Sequence, residues 1–210
     1  SGATVTIGLD LGDRMTEGCV MDTTGAVVER FRTRTTRARV APLLAILEHL
    51  TATIRQFDRQ LARLATTRYP VTAVLRQIPG VGPLTALTYV LTLEDPTRFR
   101  KSRMVGAYLG LRPKRRESGA QRPELSTTKA GDVFLRRHLV TAAQYILGPF
   151  GPDTDLRRWG LALAARGGRA AKKRTVVAVA RKLAVLLHRL WVTGEVYEPL
   201  GYQARAARVA

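Results

Sequence analysis

Eight apolar residues, Val40, Leu43, Leu47, Leu50, Ile54, Phe57, Leu61 and Leu64, follow one another at alternating spacings of three and four. A mean period of 3.5 residues keeps one face of a helix on a single seam and imposes a left-handed supercoil. A lone surface helix shows a wider and less regular stripe. The pattern therefore predicts a helix over residues 38–65 with a coiled-coil seam, closed antiparallel within the chain or between subunits. One long helix lying on a globular core is the alternative reading. Either way, this segment separates two stretches of different periodicity.

The stretch before it alternates with the period of strands. Residues 4–10 are β-rich and end in Asp10, residues 16–22 follow, and Thr23-Thr24-Gly25 supplies turn chemistry before residues 26–33. This predicts a three-stranded β-meander. Three strands with one apolar face need a covering layer to be stable.

The stretch after it is mostly helical. Helices are predicted over Val71 to Gln77, Leu84 to Leu93, Ser102 to Leu109, Gly131 to Leu147, Asp153 to Arg166 and Ala171 to Val192. Asp95-Pro96 reads as a cap followed by proline at the first helical position. Pro113, Pro123 and Ser118-Gly119 make residues 111–128 irregular or short-stranded. The fold class is α+β. Its parts are a β unit over 1–36, a coiled-coil helix over 37–69, a helical domain over 70–200 and a frayed tail over 201–210.

Between the first two helices of the last domain stands Ile78-Pro79-Gly80-Val81-Gly82-Pro83. Glycine reaches φ > 0 without a Cβ clash, so the pair can form a tight turn. The N–H groups at the start of the second helix then point outward with the positive pole of the helix behind them, a seat for phosphate. The order resembles a helix-hairpin-helix, a clamp for a nucleic-acid backbone that does not read sequence. An ordinary helix–helix turn is the plainer alternative.

Charge favours the clamp. The chain holds 35 Lys and Arg against 16 Asp and Glu, a net +19, which suits a polyanionic partner. No apolar run approaches the roughly 18 residues of a spanning helix, and no signal peptide opens the sequence. A cytoplasmic protein with no membrane partner is expected. The single Cys19 excludes an internal disulfide and a cysteine-based zinc site, and His49, His138 and His188 form no ligand cluster in sequence.

Residues 98–137 hold twelve Lys or Arg and three acids. Within them, Arg112, Lys114, Arg115 and Arg116 precede Ser118-Gly119. Guanidinium groups neutralise a phosphodiester and the charge that builds on it during attack. A serine hydroxyl among them could attack phosphorus and split strand breakage and joining into two steps. Ser-Gly in a polar loop is otherwise only a turn. Further basic candidates for nucleic-acid contact are Lys129, Arg136, Arg137, Lys172, Lys173 and Arg174. Asp10, at a strand end, is placed as a metal ligand or as a turn residue; magnesium prefers such oxygen ligands.

Taken together, Leu75-Arg-Gln-Ile-Pro-Gly-Val-Gly82, Phe99 to Leu111, Ser118-Gly119, Thr128-Lys-Ala-Gly-Asp132 and Leu135-Arg-Arg137 resemble the C-terminal domain of bridge-RNA-guided insertion-sequence transposases. Ile7-Gly8-Leu9-Asp10 resembles the first strand of that family's RuvC-like domain, and the heptad helix lies where the family has its coiled coil. The resemblance implies a DNA recombinase that works with a guide (bridge) RNA as a homo-oligomer, dimer or tetramer. It implies Ser118 as nucleophile, with Ser126 as a competitor that precedes no glycine. It implies Mg2+ bound by acids of the RuvC-like domain, Asp10 being the first. Thr35-Thr36 here runs almost directly into the heptad helix, where the family continues with further acids. The expectation is a shortened RuvC-like domain or an absent segment. The alternative function is a non-catalytic nucleic-acid-binding relative that keeps the clamp and the oligomer interface.

Overall fold

The computed structural model describes residues 4–114, 126–168 and 170–201. Contacts divide the chain into two compact units, Ser1–Phe57 and Asp58–Ala210. The boundary falls inside the heptad helix rather than at either of its ends.

In the first unit, β1 (Thr6–Leu11), β2 (Met15–Met21) and β3 (Val27–Arg34) form an antiparallel sheet in the order β1-β2-β3. This is the expected meander. Asp22 makes the second turn. Its Oδ1 accepts from the hydroxyl of Thr24 at 2.6 Å and from the N–H groups of Thr24 and Ala26, and these bonds hold its carboxyl below the usual range. The register sets Ile7, Leu9 and Leu11 on one face with Val20 and Phe31. Ile7, Leu9 and Leu11 are exposed. Thr35 joins the sheet to the helix that follows: its hydroxyl donates to the Gly12 carbonyl and meets Thr16 Oγ1, both at 2.8 Å.

The helix, α1 (Arg37–Arg68), is continuous over 32 residues and covers the predicted span. Leu47, Leu50, Ile54 and Phe57 of its seam are each about half exposed or more, at 49–59%. Ala65, near its C-terminus, is buried.

The second unit is helical. It contains α2 (Thr72–Leu75), α3 (Pro83–Leu93), α4 (Arg103–Tyr108), α5 (Val133–Leu147), α6 (Asp155–Ala165) and α7 (Ala171–Thr193). A 3-10 turn, Pro96–Arg98, precedes α4 and is capped by the Asp95 carboxylate as its sequence predicts. The helix expected over Val71 to Gln77 is only four residues long. Gln77 and Ile78 already close three-residue bonds to Val74 and Leu75, which tightens the chain into the Pro79-Gly80 turn. The predicted ends of α4 to α7 agree with the observed ones within about two residues, the usual uncertainty of helix boundaries.

Helix α7 is the centre of this unit, packing on α2, α4, α5 and α6. Val179, Ala180, Leu183, Ala184, Leu187 and Leu190 are its buried stripe, as the 3.6-residue periodicity requires. Two polar side chains are drawn into this core with full hydrogen bonding. Tyr89 donates to the Ala184 carbonyl at 2.6 Å, and burial pushes its hydroxyl well up. His188 sits between Ser102 Oγ, 3.0 Å from Nδ1, and the Pro96 carbonyl, 2.9 Å from Nε2. Since a carbonyl only accepts, Nε2 carries the proton in the neutral ring and Nδ1 accepts from the serine. His188 thus ties the 3-10 turn and the start of α4 to α7. Replacing His188 with Ala leaves a cavity and an unpaired carbonyl. The expected loss is about 2–4 kcal/mol of folding stability, to be read from urea unfolding of the helical unit.

Candidate nucleic-acid interface

The glycine hairpin is built as a backbone turn whose far side enters a helix. The Val81 N–H closes a bond to the Ile78 carbonyl at 3.0 Å, and Ala86 N–H to Gly82 carbonyl, also 3.0 Å, opens α3. The two glycines are not equivalent, contrary to the paired role expected from sequence. Gly80 has φ +87, and a Cβ there would stand 3.0 Å from Tyr145 Cδ1 and 3.3 Å from the Ala142 carbonyl. Gly82 has φ −83 and ψ 175, ordinary extended backbone, with open space around it. It is the N-cap of α3, it supplies no side-chain cap, and Pro83 fills the first helical position. Gly80 makes the turn; Gly82 leaves the helix start uncovered.

A cavity of about 480 Å3 opens beside the hairpin. Its other wall is one stripe of α5: His138, Thr141, Ala142 and Tyr145. His138 Nε2 is buried there without a hydrogen-bond partner among the described residues. The ring is held edge-on to Phe134 at 4.4 Å. Arg76 and Thr85 complete the mouth. None of these was selected from the sequence. The available signal was the spacing of 138, 141, 142 and 145, which is one helical face.

The second basic region forms around a short ladder. Thr128 N–H donates to the Arg112 carbonyl and Lys114 N–H to the Ser126 carbonyl, both at 2.9 Å, and Pro113 bridges Thr127. This is the short-stranded pairing expected within 111–128. Ser118, Arg115 and Arg116 belong to residues 115–125, outside the described residues. Ser126 and Lys114 lie in the wall of a cleft of about 750 Å3, which also receives Arg166, Lys173, Arg174 and Arg181. Lys172, Lys173 and Arg174 occupy the first turn of α7, which has no acid and no side-chain cap.

The remaining basic candidates divide. Arg137 and Lys129 are exposed, Lys129 with φ +56. Arg136 directs its guanidinium inward, to the carbonyls of Ala130 at 2.9 Å and Leu109 at 3.2 Å. It braces the ends of the ladder while remaining partly exposed.

Asp10 lies in the other unit, inside β1 and exposed. The register sets it opposite Glu17, and Glu17 in turn opposite Arg32. Glu17 Oε1 is 3.4 Å from Arg32 Nε. Among the described residues, no three His, Cys, Asp or Glu converge to hold a metal ion. Asp10 with an Arg-paired Glu17 does not make a magnesium cage. Among the described residues no helix is long and apolar enough to cross a membrane.

Comparison with known proteins places this geometry. Residues 72–155, which include the hairpin, the ladder and all of α5, match the model of the transposase IS116/IS110/IS902 family. The chain is 36% identical over 124 residues to the transposase for insertion sequence element IS1111A of Coxiella burnetii, covering 59% of this chain and 33% of that protein. A probable family 20 transposase of Pseudomonas aeruginosa is 30% identical over 154 residues, covering 73% and 44%. The pilin gene-inverting protein of Moraxella lacunata is 25% identical over 141 residues, covering 65% and 42%. The chain thus spans between a third and a half of the length of these relatives. Residues 72–155 of the helical unit are thus similar to the transposase IS116/IS110/IS902 family, over less than half of the chain.

Proposed function

We propose that this chain acts in DNA transposition, cutting and rejoining DNA by serine attack, with a structured guide RNA selecting the sites. The match of residues 72–155 to a transposase family carries the reading. The net charge of +19 and the cleft lined by Lys114, Arg166, Lys173, Arg174 and Arg181 support it. Ser118 is the nucleophile of this reading. Its Oγ forms a bond to phosphorus while the phosphorus–oxygen bond to a deoxyribose breaks, and that oxygen leaves with a proton. The phosphoserine diester is then attacked by a hydroxyl of the joining strand, which restores the serine. Arg112, Lys114, Arg115 and Arg116 neutralise the phosphodiester in both steps. Magnesium, when bound, lowers the pKa of an oxygen nucleophile and stabilises the leaving oxygen. Asp10 is this chain's candidate ligand for it, and the described residues alone do not complete a site.

The test is incubation of the full chain with guide RNA, cognate DNA and magnesium. A protein–DNA adduct that survives denaturing electrophoresis, with the modified peptide containing Ser118, is the expected result. The pairing of Glu17 with Arg32 beside Asp10 favours a second reading, a nucleic-acid-binding relative without strand cleavage. Salt-dependent DNA binding with no adduct under these conditions would select it.

The reading also includes a homo-oligomer, dimer or tetramer, closed by the α1 seam. Replacing Leu47 with Glu and Ile54 with Lys puts charge at two exposed seam positions. Light scattering should then report a smaller species with unchanged helix content. An unchanged mass would assign the seam to contacts within one chain.

A further inference from the structure

The cleft beside the ladder is more than a charged surface. Part of its lining is apolar: Leu111, Pro113, Leu163 and Val177. Its rim is cationic: Lys114, Arg166, Lys173, Arg174 and Arg181. No carboxylate is among its described lining residues. The rim charges come from three places in the chain, the ladder, the end of α6 and α7, so the concentration of charge is a product of the fold. Like charges gathered this closely repel one another. Lys172, Lys173 and Arg174 stand in the first turn of α7, at the positive pole of a 23-residue helix, where acids are the stabilising residues. An anion seated there relieves both the mutual repulsion and the clash with the helix pole.

Arg181 is aimed by packing. Its stem lies against Gly106 of α4, so closely that a Cβ on Gly106 would fall 2.7 Å from Arg181 Cγ. The guanidinium at the end of that stem is thus held at the cleft two turns above the cationic first turn.

Backbone phosphates of a duplex need only a charged ridge. They leave an apolar lining empty, because duplex bases are stacked inside the helix. A recess of about 750 Å3 with apolar walls lies within the roughly 300–1,000 Å3 of small-ligand sites. It fits a group with a flat apolar face and an attached anion. We infer that this cleft receives one unpaired nucleotide of a DNA strand, its base against Leu111, Pro113, Leu163 and Val177 and its flanking phosphates on Lys173, Arg166 and Lys114. Bases taken out of a stack are held between aromatic or apolar side chains, and a basic track carries the backbone. The inference rests on the DNA-binding reading above and adds to it a base-holding site separate from the hairpin.

The test uses the full chain and a 12-nucleotide single-stranded DNA carrying one 5-iododeoxyuridine. Photo-crosslinking followed by peptide mapping should place the adduct within residues 111–114, 163–168 or 171–178. Val177→Trp fills the apolar part of the cleft and should reduce crosslink yield at least fivefold. Lys173→Glu, an exposed substitution that leaves the core intact, should weaken binding of the same oligonucleotide about tenfold or more. It should also lower the slope of log K against log salt by about 0.7 for each phosphate that the variant no longer neutralises. Crosslinks confined to residues 76–85 and 138–145, or an equal yield from Lys173→Glu and the parent, would overturn the base-holding site while leaving DNA binding intact. Tenfold tighter binding and stronger crosslinking of the matching RNA oligonucleotide would overturn the assignment to DNA. Absence of any salt-dependent binding would overturn the DNA reading itself and this site with it.

Discussion

Ser118→Ala abolishes the covalent protein–DNA adduct, and Ser126→Ala leaves it in place. This is the expected outcome with the largest effect, a loss to the detection limit, because a nucleophile that is absent cannot be replaced by positioning alone. Three consecutive basic residues, Lys114, Arg115 and Arg116, precede Ser118 with only Glu117 between. In the proposed reaction those charges would hold the phosphate for the serine hydroxyl. Ser126 has a different duty in the fold. Its carbonyl accepts from Lys114 N–H, so its main chain is committed to the ladder that closes the segment. Replacing its side chain with a methyl group leaves that hydrogen bond intact. Peptide mapping of the adduct in each variant decides the matter: an adduct that persists in Ser118→Ala, or one carried by Ser126, overturns the assignment.

Gly82→Asp is expected to weaken DNA binding by about tenfold or more while folding stability stays equal or rises by about a few tenths of a kcal/mol. The two effects share one cause. Gly82 is the N-cap of α3, in extended conformation with room for a side chain. Aspartate is a better N-cap than glycine and satisfies helix N–H groups from within the chain. Those same N–H groups are the proposed phosphate seat, and the new carboxylate repels phosphate from it. A destabilised protein with weak binding would say only that the hairpin had been damaged. A protein of full stability with parental affinity would show that the hairpin does not touch the backbone of DNA. The contrast with Gly80 matters here, since any side chain at φ +87 strains the turn and pushes against Tyr145. A double replacement of both glycines mixes the two effects.

The elements with strong periodicity were legible in sequence. The alternation of 4–33 gives the three strands, and the 3.5-residue seam of α1 and the apolar stripe of α7 each correspond to a single helix in the structure. The Asp95 cap on the 3-10 turn was legible as well, because capping is local chemistry. What escaped was set by distant parts of the chain. His188 reads as a stray histidine until Pro96 and Ser102 are brought to its two nitrogens across about 90 positions of sequence. Arg136 reads as one more basic residue until two carbonyls close around it. The hairpin itself was marked by Pro-Gly-Val-Gly, but the α5 face that makes it a cavity lies some 60 residues on. The pairing of Asp10 with Glu17 depends on strand register, which alternation alone leaves open.

The first unit leaves apolar side chains in water on two elements, Ile7, Leu9 and Leu11 on β1 and Leu47, Leu50, Ile54 and Phe57 on α1. The helical unit buries a core of its own. If second copies cover the α1 seam, the two units answer differently to dilution. Stability of the first becomes a function of how many copies are present, while that of the second does not. Assembly then rises as a power of protein concentration rather than in proportion to it. A cell holding few copies of this chain would then keep folded helical units with almost no assembled complex, so that any activity needing the complex would be throttled by copy number.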